Sequence, residues 1–241
     1  QELKVEKWQV EAAVKLIDEG CTIPFISRYR KEATGSLNDE QLRTLHERLT
    51  YLRNLEEKKN QVLGSIEEQG KLTAELKKQI LDAQTLVVVE DLYRPFRPKR
   101  RTRAIIAKEK GLEPLANIIM LQMTDKPIEE EAQDFVSEDK GVESVADAIN
   151  GAKDIIAEHI SDEADYRIYL RKLTMDRGSV ASTAKKPEES SVYEMYYEFE
   201  EPIKKLAGHR VLALNRGEKE KILTVKVNAP EEEAMGWLQK Q

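Results

Sequence analysis

Asn38 opens the longest regular pattern in the chain. It offers an N-cap oxygen, and Gln41 three residues on completes a capping box. Leu42, Leu45, Leu49, Leu52, Leu55, Val62 and Ile66 then keep the spacing of one helical face as far as Gly70. A helix of about 30 residues would run for about 45 Å at 1.5 Å per residue. An element that long organises whatever contains it, and the Lys and Glu residues on its other faces are expected to be solvated. Composition points the same way. Apolar residues at 40% can build a core, while charged residues at 35% with aromatics at 6% favour amphipathic helices over a sandwich or barrel.

Shorter helical patterns flank it. Val5, Trp8, Ala12 and Leu16 predict a helix over 5–19, with Gly20 as its stop. Pro24 suits the first turn of a second helix reaching Tyr29, so this pair has helix-turn-helix proportions. Further helices are expected after Thr73, over 85–93 despite the β-prone Val87–Val89 triplet, over 103–110 behind a Thr102 cap, and from Pro114. Two more are expected over 142–159 and 161–175, the second capped by Ser161. Residues 180–183 and 222–227 read as strands, and 209–216 suits either a strand or a short helix ending at Gly217. Tyr193, Tyr196, Tyr197 and Phe199 form an aromatic cluster before Pro202. The expected fold is mainly α: an elongated multi-helix body with one long central helix and a small β component near the C-terminus. We divide it into a helical region, 1–177, and a mixed α/β segment, 178–241. The chain opens on Gln1 rather than Met, and we expect a fragment of a longer protein.

Charge singles out one segment. The whole chain carries −6, yet 94–110 holds eight basic residues against one acid, Glu109. Pro95 and Pro98 keep the connector from being an ordinary helix face. A polyanion partner needs such a local reversal, because each phosphate neutralised by Lys or Arg releases a counterion. Arg97, Lys99, Arg100, Arg101 and Arg103 are therefore candidate phosphate contacts, with Tyr93 and Phe96 as candidate base-stacking rings. The competing reading packs Tyr93 and Phe96 into the helical body and pairs the arginines with acids such as the eight in 125–143. Arg28, Arg30 and Lys31 form a second basic cluster, and His209, Arg210 and Arg216 a third candidate patch.

Other chemistry is poorly represented. His46, His159, His209 and the single Cys21 show no metal-ligand spacing, and no phosphate-cradling glycine loop or nucleophile elbow occurs. We therefore expect no metal, no cofactor and no catalytic activity. One cysteine excludes an internal disulfide framework, and no apolar run approaches the roughly 18 residues of a membrane span.

Several strings, in order, resemble the Tex family of bacterial transcription accessory proteins: TIPFISRYRKE at 22–32, QLRTL at 41–45, SIEEQGKLT at 65–73, EDLY at 90–93 running into PKRRT at 98–102, and HRVLALNRG at 209–217. The resemblance covers about residues 5–227. It implies the N-terminal part of a multi-domain protein, in which a helical region with a helix-turn-helix element precedes ribonuclease-H-like, helix-hairpin-helix and OB domains. The family is related to the core of a eukaryotic elongation factor of the suppressor-of-Ty group. By that resemblance, the chain is a cytoplasmic helical scaffold that lends basic surface to nucleic-acid binding, RNA or DNA. The alternative is a protein-interaction scaffold for RNA polymerase or other transcription machinery.

Overall fold

The computed structural model describes residues 3–241, which fall into two compact units divided between Tyr93 and Arg94. The fold is mainly α, with a small antiparallel sheet near the C-terminus. The boundary expected at 177/178 lies inside the second unit.

The first unit holds α1 (Lys7–Asp18), α2 (Ile23–Tyr29), α3 (Lys31–Thr34), α4 (Asp39–Glu68), α5 (Ala74–Asp82) and α6 (Leu86–Tyr93). The long helix forms as its sequence predicts. The Gln41 amide N–H donates to Asn38 Oδ1 at 2.8 Å, and the Asn38 N–H donates to Gln41 Oε1 at 3.0 Å. Its apolar stripe serves two cores in turn. Leu42 and Leu45 pack with Ala13, Ile26 and Leu37, while Leu55, Val62 and Ile66 are buried in the half that faces α5 and α6. Leu52, between the two halves, is exposed. Each fully buried Leu or Ile contributes about 1.5–3 kcal/mol relative to exposure.

Two polar ties fix the neighbours of α4. Arg53 grips Asp18 of α1 through both guanidinium Nη atoms, at 2.7 and 2.8 Å. That hydrogen-bonded pairing holds the Asp18 carboxyl below the usual carboxylate range. Lys59 departs from its expected place on a solvated face. It is 6% exposed, and its Nζ donates at 2.6 Å to the Leu81 carbonyl in the last turn of α5. A helix C-terminus leaves carbonyls without intrahelical partners and carries partial negative charge, so a buried cation is stable there. Gly35 is required by crowding: with φ +60°, a Cβ would sit 2.5 Å from both the Trp8 ring and the Gln9 amide nitrogen.

The second unit begins with α7 (Arg103–Glu109), α8 (Glu113–Leu121), α9 (Ile128–Gln133), α10 (Val145–Asp162) and α11 (Ala164–Arg177). Ala104, Ala107, Ala116, Ala148 and Ala152 share a core with Leu112, Leu115 and Ile155. Small side chains let α10 approach α7 and α8 closely. Ser161 is not the cap of α11, because α10 continues to Asp162 and the break falls at Glu163, whose backbone is extended.

The sheet orders its strands β2 (Glu198–Pro202), β1 (Ser179–Ala184), β3 (Leu223–Asn228), all antiparallel. The strands β1 and β3 match the expected ones; β2 was not foreseen. The ambiguous 209–216 stretch is helical, within α12 (Gly208–Lys219). Gly217 does not stop that helix. A Cβ there would lie 2.6 Å from Leu223 Cδ1 and 3.3 Å from Tyr193 Cδ1, so glycine lets α12 press onto β3. Tyr193 and Tyr196 join Leu214 and Leu223 in the core. A final helix, α13 (Glu231–Leu238), stacks Trp237 on Tyr169 of α11 at 3.8 Å between ring centroids.

Candidate nucleic-acid interface

The basic connector begins with a 3-10 turn, Arg94–Phe96, and ends where Thr102 Oγ1 accepts the Ile105 amide N–H at 3.1 Å, capping α7. Facing it, α10 carries Asp154, Glu158 and Asp162, one helical turn apart and therefore on one face. This ladder receives much of the connector. Arg94 Nε donates to Asp162 Oδ1 at 2.9 Å, and Lys99 Nζ donates to Asp162 Oδ2. Lys99 also lies 3.4 Å from Glu158, whose other oxygen accepts the Thr102 hydroxyl at 2.9 Å. Arg103 reaches Asp154 at 3.4 Å, and Arg101 reaches Glu109 at 3.1 Å. The acids paired with the connector thus lie on α10 and, for Arg101, at Glu109 of α7, rather than in the 125–143 stretch.

The cations consequently divide by environment. Lys99 sits over the buried Asp162 and half-buried Glu158 carboxylates, where an ion pair is shielded from solvent. Arg101 and Arg103 make bridges at side-chain exposures of 72% and 85%, where screening leaves little to hold them. Arg97 and Arg100 are exposed and make no ion pair among the described residues. Of the candidate rings, Tyr93 has its hydroxyl 2.9 Å from Ser65 Oγ of α4, and Phe96 is half-buried.

Arg28, Arg30 and Lys31 belong to the first unit, at the end of α2 and the start of α3. All three are exposed. The Arg30 guanidinium lies 5.3 Å from the centroid of Phe25, whose ring is 5.4 Å from that of Tyr29. Tyr29 is 67% exposed, an aromatic beside three cations. In α12, Arg210 is committed: Nη1 donates to Glu201 Oε2 at 2.7 Å, with its guanidinium 5.7 Å from the Phe199 ring. Arg216 is exposed near Tyr193. Burial and a hydrogen bond with Glu220 push the Tyr193 phenol above its ordinary pKa, and the charge of Arg216 opposes them. His209 is exposed in the first turn of the helix.

The order of these elements has close counterparts. Residues 1–67 match the model of the Tex-like protein N-terminal domain, and 123–240 match the Tex central region-like model. The chain belongs to the Tex family. The basic connector lies between the two matched segments. A Bacillus subtilis relative, the uncharacterized protein YdcI, is 47% identical across the whole chain, which spans 34% of that protein. The transcriptional accessory protein Tex of Neisseria gonorrhoeae is 42% identical over 93% of the chain and 30% of its own length. The human S1 RNA-binding domain-containing protein 1 is 32% identical over 93% of the chain and 23% of its own length. The chain therefore spans about a third or less of these Tex relatives. Among the described residues, no helix is long and apolar enough to cross a membrane.

Proposed function

We propose that this part of a Tex-family transcription accessory protein is a non-catalytic helical scaffold, cytoplasmic in setting, that lends phosphate-contacting surface to nucleic-acid binding. The observation that carries the proposal is the division of the connector: Arg94 and Lys99 are spent on Asp162, while Arg97 and Arg100 stand exposed without a carboxylate partner among the described residues. A cation that serves only the fold has a partner in the fold; two that lack one remain available to a polyanion. The acid ladder gives those two a fixed base. In the first unit, α1 and α2 form the helix-turn-helix-like pair, and Arg28, Arg30 and Lys31 at its far end offer a second set of phosphate contacts. The names of relatives, a transcriptional accessory protein and an S1 RNA-binding domain protein, support the same class of partner.

The test is binding of a labelled oligonucleotide, RNA and DNA in parallel, across a salt series. Log affinity should fall linearly with log salt concentration, at about 0.7–0.9 per phosphate contacted. Undetectable binding at low salt would count against the proposal. A second reading, a docking surface for transcription machinery such as RNA polymerase, is favoured by one observation. Met120, Leu121 and Met123 are exposed at 42%, 65% and 83% beside the acidic α9.

A further inference from the structure

The geometry points to a second phosphate subsite, in the groove between the last turn of α10 and one face of α11. The groove is open, holds about 340 Å³, and is lined by Ile160, Ser161, Tyr166, Arg167, Arg171 and Thr174, with Leu170 completing its floor. Its chemistry is mixed in the way a nucleotide requires. Arg167 and Arg171 are one turn apart on α11, so both guanidinium groups rise from the same helical face. Arg167 donates through Nη1 to the Ser161 carbonyl at 3.2 Å, which ties the guanidinium to the end of α10. Two planar forks at this spacing suit the oxygens of a phosphodiester. Ile160, Leu170 and the Tyr166 ring give the apolar floor against which a sugar or base packs, and Ser161 and Thr174 add hydroxyls. The Tyr166 ring is itself steadied by Trp237, edge-on at 5.5 Å between centroids.

The groove also continues the surface already described. Asp162, the anchor for Arg94 and Lys99, follows Ser161 directly in the chain. One end of α10 therefore meets the basic connector and the groove together. We propose that a single strand of nucleic acid held by the connector places a neighbouring nucleotide in this groove, with its phosphate on Arg167 and Arg171. The inference rests on the nucleic-acid reading above and adds a site to it. An acidic peptide could satisfy the two arginines, but it would leave the apolar floor and ring unused.

The experiment compares the intact chain with Arg171→Gln, the Arg167→Gln/Arg171→Gln double variant and Arg97→Ala/Arg100→Ala, using a labelled single-stranded homopolymer oligonucleotide across a salt series. The groove double variant should weaken binding about tenfold and flatten the log–log salt slope by about 1.4, or ~0.7 for each lost contact. Arg171→Gln alone keeps Arg167 and its bond to the Ser161 carbonyl and should give about half that slope change, with an unaltered far-ultraviolet spectrum. If the connector variant weakens binding while both groove variants bind as the parent does, the groove subsite is overturned and the broader reading stands. If no variant changes anything, both fall. Equal displacement of the oligonucleotide by a poly-glutamate chain of matched charge would also overturn the subsite, since it would show that charge alone is recognised.

Discussion

Gly64 and Gly217 both lie inside helices, and their surroundings set opposite demands. Nothing lies within 4 Å of a Cβ built on Gly64 in α4, whereas one on Gly217 would run into Leu223. Gly64→Ala should therefore stabilise the chain by about 0.5–1 kcal/mol, the helix-propensity gain of alanine. Gly217→Ala should cost about 1–3 kcal/mol as the α12–β3 contact is forced apart. Chemical denaturation of the two variants checks both signs. Lys59 makes a similar point about charge. Its buried Nζ on the Leu81 carbonyl is worth about 1.5–3 kcal/mol as a charge-assisted bond, so Lys59→Ala should destabilise by about that amount in the same measurement. A denaturation midpoint like the parent's would show that water replaces the ammonium group. Neither residue announces its role in the sequence. Glycine near a helix end reads as a stop, and one lysine among many on a long helix reads as solvated.

At the level of elements, the sheet contains its own acid-sensitive strap. Glu200 on β2 accepts hydrogen bonds through one carboxylate oxygen from Ser179 on β1 and from Asn228 on β3, the latter at 3.1 Å, so one side chain spans all three strands. These bonds hold its pKa below the ordinary glutamate value. A depressed folded-state pKa contributes stability that is fully present above the unfolded value and is lost as pH falls through the folded one. Thermal midpoints followed downward from neutral pH should thus show a decline in the parent that Glu200→Gln makes shallower; parallel curves would exclude the strap. The connector and α10 are coupled in the same element-scale way. Asp162→Asn removes the shared charge beneath Arg94 and Lys99, and limited trypsin digestion should then cut within 97–103 sooner than in the parent. An unchanged cleavage rate would mean that the ladder does not hold the connector. The long helix was legible because its cap and seven apolar positions repeat one signal. The ladder was not, because Asp154, Glu158 and Asp162 are spaced as any solvated helix face is, and their partners lie about sixty residues away. Strand β2 escaped for a related reason: three glutamates in Glu198–Pro202 mask its alternation.

Across the whole molecule, the sequence singles out the basic connector but treats its cations as equivalent. Folding sorts them. Arg94 and Lys99 fasten the connector to α10, Arg210 fastens α12 to the sheet, and Arg97 and Arg100 are exposed without an ion pair among the described residues. The sorting was illegible beforehand because it depends on which carboxylates lie within about 4 Å, a property of tertiary packing. On the proposed reading, local exposure of unpaired cations matters more for binding a polyanion than the net charge of −6. The measurement that bears most directly on this account compares Arg97→Ala/Arg100→Ala with Arg94→Ala/Lys99→Ala, each by oligonucleotide salt titration and by thermal melting. The account predicts that the first variant flattens the salt slope and melts as the parent does, while the second lowers the melting midpoint. A first variant whose affinity and slope equal the parent's would contradict it.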